Sequence, residues 1–270
     1  MRYVLALDTA TEHVAIGLAA FRAPDKMPHM VAERDFAAPR AALGALLPAV
    51  REMVDDAGVH TGSISVVAVG RGPGSFTGVR IAVASAKGLA HGLGVPLVGF
   101  GTLDAVAWRF SGHEGLLAVV GDAMRGEVYP ALFRCSAGRC VRLEGDCVEK
   151  PVVTAGRWAR TLTEPVLLSG NGLAKYREVF TDVLDGRVRI ADASLWTPTG
   201  ASSITAAWTE SGPGSLHHVA GLDPVSAFEE AHPGLLLPVY TRLSDAEEAE
   251  RRRRTQVPPS GVSRPDGSAS

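Results

Sequence analysis

The stretch Ile64-Ser65-Val66-Val67-Ala68-Val69-Gly70-Arg71-Gly72-Pro73-Gly74-Ser75-Phe76-Thr77-Gly78-Val79-Arg80 decides how the rest of the chain is read. Ile64, Val66, Val67 and Val69 form a short β-branched apolar run, the pattern of a buried strand. Gly70 to Gly78 interrupts it, and Val79 to His91 then follows helical spacing. Val95-Pro96-Leu97-Val98 closes the unit as a second strand. Strand, helix and strand in one short unit, Ser63 to Phe100, predict a parallel pairing with a right-handed crossover.

The turn itself, Arg71-Gly72-Pro73-Gly74-Ser75-Phe76-Thr77-Gly78, has two readings. Ser75 or Thr77 can cap helix amides that lack a partner inside the helix, which is also how an anion cradle is built. The plainer reading is a tight strand-to-helix turn, with Gly78 letting another backbone come close. The spacing is Gly-x-Gly-x-x-x-Gly and no Gly-Lys-Ser/Thr follows, so it fits neither phosphate-loop template. The tight turn is therefore the expectation.

Upstream, Tyr3 to Leu7 and Val14 to Ala20 read as a β-hairpin around Asp8-Thr9-Ala10-Thr11, with a third extended segment at Met30 to Phe36. Asp and Thr in such a turn cap backbone amides more often than they bind ligands. Arg40 to Ala57 is a helix whose Leu43, Leu47, Val50, Val54 and Ala57 form one stripe, widened by Leu46 and Met53, with Gly58 as its stop. In the next helix Val79, Val83, Ala86 and Ala90 repeat that seam, while Arg80, Lys87 and His91 share a polar face. Two such helices can cover one sheet or meet helices of another subunit, and periodicity alone leaves these alternatives equal.

Downstream, Leu116 to Val120 and Val128 to Phe133 make a second hairpin across Gly121-Asp122-Ala123-Met124-Arg125-Gly126-Glu127, opening a second α/β half. Val166-Leu167-Leu168 leads into Ser169-Gly170-Asn171-Gly172 and a helix near Lys175 to Leu184, and Pro198 to Glu210 is a further helix. Ser211 to Gly234 reads as a loop in which His217 and His218 face solvent, Leu235 to Tyr240 as a last apolar element, and Ser244 onward as a disordered tail.

A 270-residue chain with 46% apolar and 21% charged residues has an ordinary globular composition, and a net charge of -2 offers no electrostatic case for direct nucleic-acid binding. Cys135, Cys140 and Cys147 are an odd number with no signal peptide, so reduced thiols in a cytoplasmic protein are expected. No apolar run approaches the roughly eighteen residues of a membrane span.

Leu5-Ala6-Leu7-Asp8-Thr9-Ala10-Thr11, Gly70 to Arg80, Ala86-Lys87-Gly88-Leu89-Ala90, Gly121 to Tyr129 and Leu237-Pro238-Val239-Tyr240-Thr241-Arg242 together resemble the bacterial TsaB (YeaZ) family, in order from Met1 to about Arg242. Gly-Pro-Gly-Ser-Phe-Thr-Gly-Val-Arg is the most specific part. Two departures stand out: Met124 separates Asp122-Ala123 from Arg125 where the family reads Asp-Ala-Arg, and Thr241 replaces the Leu of the closing motif.

The resemblance implies an α/β, two-lobed actin/hexokinase/Hsp70-like (ASKHA) fold. Its lobes would span 1–101 and 102–243, followed by the tail 244–270. It implies a non-catalytic scaffold subunit in synthesis of N6-threonylcarbamoyladenosine at tRNA position 37. The implied partners are a TsaD-like catalytic paralogue, a TsaE-like P-loop ATPase and, through the complex, tRNA; a homodimer would form when the chain is alone. Asp8 and Thr9 become a vestigial phosphate turn. Leu43, Leu46, Leu47, Val50, Val54, Val79, Val83, Ala86 and Ala90 become the partner interface. No cofactor or metal is expected on this chain alone, with a nucleotide at the partner interface left open. The catalytic paralogues carry a His-x-x-x-His metal pair after the strand that follows the glycine helix; Gly99 to Ala107 here holds no His. The alternatives are an ASKHA-type small-molecule kinase, which fold alone would suggest, and a metallopeptidase, which would need bound metal.

Overall fold

The computed structural model describes residues 1–22, 26–38, 41–210 and 215–239. The first apolar segments form β1 (Arg2–Asp8), β2 (His13–Phe21) and β3 (His29–Ala37), an antiparallel meander. Helix α1 (Ala42–Asp56) crosses back to β4 (Ile64–Gly70), and α2 (Phe76–Leu93) crosses to β5 (Leu97–Phe100). β4 pairs parallel with both β1 and β5, giving a five-stranded sheet in the order β3-β2-β1-β4-β5. The expected βαβ unit is thus present, with Gly58 at φ +64° ending the first helical segment.

After α3 (Thr102–Trp108) the pattern repeats. β6 (Gly115–Asp122), β7 (Val128–Ser136) and β8 (Arg139–Arg142) form a second meander; α4 (Pro151–Thr161) leads to β9 (Val166–Ser169), and α5 (Leu173–Leu184) to β10 (Val188–Ile190). Its order, β8-β7-β6-β9-β10, reproduces that of the first sheet, two parallel strands on one side of an antiparallel meander. This duplication is the two-lobed ASKHA fold.

The last helices depart from the expected lobe boundaries. α6 (Gly200–Thr209), α7 (Leu216–Ala220) and α8 (Pro224–Glu230) fall within 102–243, yet Ile204, Trp208, Leu216, Val219 and Ala227 pack with Val4, Ala6, Val66 and Val98 of the first sheet. The chain returns to its first lobe because α1 and α2 cover only one face of that sheet. Gly17 and Gly200 allow α6 to lie directly on β2, since a Cβ on either would run into the backbone of the other element. Two carboxylates of β3 cap this helix: Asp35 Oδ1 accepts from the Gly200 amide at 2.8 Å and Glu33 Oε2 from the Ala201 amide at 2.9 Å.

Three further expectations are corrected. The region read as a loop holds α7 and α8, capped by Ser215 and Asp223, with Pro224 in the first turn of α8. Leu235 to Val239 forms no regular element; the Val239 amide instead bonds the Arg71 carbonyl at 2.9 Å, and Leu235 and Leu237 are exposed. Cys135 and Cys140 are joined as a disulfide rather than free thiols. They stand opposite each other on β7 and β8, one pair removed from the Ala137-Gly138 turn, where side chains approach most closely. Cys147 is free. The expected tail, 244–270, lies outside the described residues, as do Tyr240, Thr241 and Arg242 of the closing motif. No described helix is long and apolar enough to cross a membrane.

Candidate functional site

The site is built where β1 and β4 end side by side against the start of α2. Ser75 caps the helix, its hydroxyl oxygen accepting from the Gly78 amide at 3.2 Å, one of the two capping residues the turn offered. Thr77 is exposed. The space a phosphate would need at this N-terminus is filled by the β1–β2 turn. The Ser75 amide donates to the Ala10 carbonyl at 2.7 Å, and the Thr9 hydroxyl to the Gly78 carbonyl at 2.6 Å. A Cβ at Gly78 would run into the Thr9 carbonyl oxygen, so this glycine exists for a close backbone approach. The Gly72–Pro73 peptide is cis, and Gly72 takes φ +92°. The tight turn, not the anion cradle, is what this segment forms.

Asp8 is fully buried. Its Oδ1 accepts from the Ala10 amide at 2.7 Å and its Oδ2 from the Thr102 hydroxyl at 2.7 Å. Burial raises its pKa from 3.8 to about 6, the two hydrogen bonds opposing that rise. Both oxygens are thus engaged by the chain itself, and among the described residues no group of three or more His, Cys, Asp or Glu side chains could hold a metal ion. Thr102 had no mark in the sequence; its role depends on β5 delivering the first residue of α3 beside β1.

Across the cleft between the lobes, Glu12 of the β1–β2 turn accepts from Asn171 Nδ2 at 2.7 Å. Asn171 Oδ1 accepts in turn from the Asp122 amide at 3.0 Å, and Lys175 pairs with Asp122. The Gly170–Gly172 turn was legible; its link to the first lobe was not. In the neighbouring hairpin the inserted residue is absorbed by left-handed backbone at Met124 (φ 60°) and Arg125 (φ 53°).

The two seams also resolve. Leu46, Val50, Val54, Val79, Val83, Ala86 and Ala90 all face the first sheet and belong to its core, packed with Leu5, Leu7, Val67 and Val69. They are therefore not available at the surface as an interface; the parallel strands β1, β4 and β5 need helices over them, and they take the apolar stripe of each. Leu43 and Leu47 point away, 73% and 43% exposed. Phe76 is 38% exposed with the Arg80 guanidinium 3.7 Å from its ring centroid. Both helices run back against parallel strands, so their first two turns, which carry Leu43, Leu47, Phe76 and Arg80, lie at the same end of the sheet.

A duplicated ASKHA fold whose β1–β2 turn packs against the start of α2 defines the class. A sequence profile of the family described as "TsaD: tRNA N6-adenosine threonylcarbamoyltransferase" matches residues 37–249. The chain is 30% identical over 204 residues to the tRNA threonylcarbamoyladenosine biosynthesis protein TsaB of Bacillus subtilis, covering 74% of this chain and 80% of that protein. It is 39% identical over 134 residues to the Escherichia coli protein of the same name, covering 48% of this chain and 54% of that one. Among solved structures, YeaZ from Pseudomonas aeruginosa superposes with a TM-score of 0.67 at 28% identity, over 89% of this chain and all of that one. The chain belongs to the TsaB (YeaZ) family.

Proposed function

We propose that this chain serves tRNA N6-threonylcarbamoyladenosine synthesis as a subunit that recruits and activates a TsaD-like catalytic paralogue, without carrying out the transfer itself. The observation that carries this reading is the pair of exposed leucines, Leu43 and Leu47, on a helix whose Leu46, Ala49, Val50, Met53 and Val54 are committed to the core. Apolar side chains this large gain by being covered, and a subunit presenting its own pair of helices there would bury them in a bundle. The engaged carboxylate of Asp8 supports a non-catalytic part over the kinase alternative, which needs that turn open to a nucleotide phosphate. In the same reading a TsaE-like ATPase and tRNA reach the chain through the complex. The same face pairs two copies when the partner is absent, and any nucleotide would lie between the subunits.

The test is co-expression with the organism's TsaD homologue followed by size exclusion. Leu43→Glu/Leu47→Glu should abolish co-elution while the variant alone melts as the parent does, and Leu47→Ala should weaken the complex by on the order of 2 kcal/mol. Val50 is unsuitable for this purpose, because a charge there would enter the core. Unchanged co-elution of the double variant, or threonylcarbamoyl transfer by the purified chain alone, overturns the reading.

A further inference from the structure

We propose that a cavity of about 420 Å³ behind the glycine turn binds a small zwitterion, an α-amino acid whose carboxylate meets Arg71 and whose ammonium meets Glu210. The volume lies within the roughly 300–1,000 Å³ of small-molecule sites. Arg71 is held rigidly: its amide donates to the Phe100 carbonyl at 2.9 Å and its carbonyl accepts from the Val239 amide at 2.9 Å. Its stem lies flat on Gly99, where a Cβ would collide with it, and its Nε is buried without a hydrogen-bond partner. Glu210, the residue that ends α6, lines the same cavity. Its carboxylate makes no ion pair among the described residues. Burial raises its pKa, and the nearby Arg71 charge opposes that rise.

The other charged groups at the cavity are already satisfied. Glu230 pairs with His218 at 2.8 Å. His232 accepts the Gly234 amide at its Nδ1 at 3.1 Å and stacks edge-on against Phe228. One cation and one carboxylate thus face a shared space without touching each other. A simple anion there would be repelled by Glu210 and a simple cation by Arg71, whereas a zwitterion satisfies both. Leu97, Leu235 and Leu236 supply an apolar wall, which selects an aliphatic side chain.

Calorimetric titration of the full chain with L-leucine tests this, with N-acetyl-L-leucine and L-leucine amide removing one charge each. The expected result is saturable binding of L-leucine, weakened at least about tenfold for both derivatives and for the Arg71→Gln and Glu210→Gln variants. That factor corresponds to about 1.4 kcal/mol. If Arg71→Gln fails to fold, Glu210→Gln and the ligand series decide alone. No saturable heat with L-leucine overturns the proposal. So does equal binding of the N-acetyl derivative, which would mark an anion site, or of the amide, which would mark a cation site. Binding unchanged by Glu210→Gln overturns it as well.

Discussion

The Thr102 hydroxyl donates a 2.7 Å hydrogen bond to Oδ2 of Asp8, tying the first turn of α3 to the end of β1. Asp8 is completely buried there, and its pKa is raised to about 6. Between its unfolded value near 3.8 and about 6, the folded protein holds a proton that the unfolded chain has released. Stability from this group is therefore fully present below pH 4, declines as pH rises to about 6, and is level above. The span amounts to about 3 kcal/mol. Asp8→Asn keeps an acceptor for the Ala10 amide and removes the titration. Urea unfolding from pH 4 to 7.5 should show the variant gaining on the parent by about that amount across the window; parallel curves would refute the assignment.

Gly78 and Gly88 lie on the same helix with opposite surroundings. A Cβ at Gly78 meets the Thr9 carbonyl, whereas at Gly88 nothing lies within 4 Å. Gly78→Ala should cost more than about 2 kcal/mol or prevent folding. Gly88→Ala should stabilise by up to about 1 kcal/mol, because alanine loses less backbone freedom in a helix. Thermal melts of the two variants check both directions.

The Glu12–Asn171 hydrogen bond joins the β1–β2 turn of the first lobe to the turn before α5 of the second. Asn171→Asp places a second carboxylate against Glu12 and removes the donor. The Asp122 amide, which bonds the side-chain oxygen of Asn171, keeps an acceptor in the variant. Amide exchange should therefore quicken in the β1–β2 turn around Thr9 to Glu12 and stay unchanged at Asp122. Unchanged exchange in that turn would show that the lobes are held elsewhere.

The disulfide between Cys135 and Cys140 closes a short loop, and loop-closure entropy puts its contribution at about 2 kcal/mol. Alkylation of the folded chain without reductant should label Cys147 alone, and labelling after reduction should reach all three cysteines. The urea midpoint should fall on reduction, and Cys140→Ser should lower it similarly without reductant. Three labelled thiols in the untreated protein would exclude the bond.

The local patterns were the legible part. Alternation and helical spacing report which side of an element avoids water, so β1 to β5, α1, α2 and the second hairpin could be placed from residues close together in the chain. The motif Gly72 to Arg80 carried the family, because a turn with these backbone demands tolerates few residue types. What periodicity cannot report is which surface covers an apolar stripe. Val79, Val83, Ala86 and Ala90 look the same whether they meet their own sheet or another subunit, and only the packing assigned them to the sheet. The return of α6 to α8 to the first lobe, the Thr102–Asp8 bond, the Glu12–Asn171 link and the pairing of Cys135 with Cys140 were decided in the same way. Each depends on distances set by the finished fold, and a one-dimensional pattern holds no measure of those.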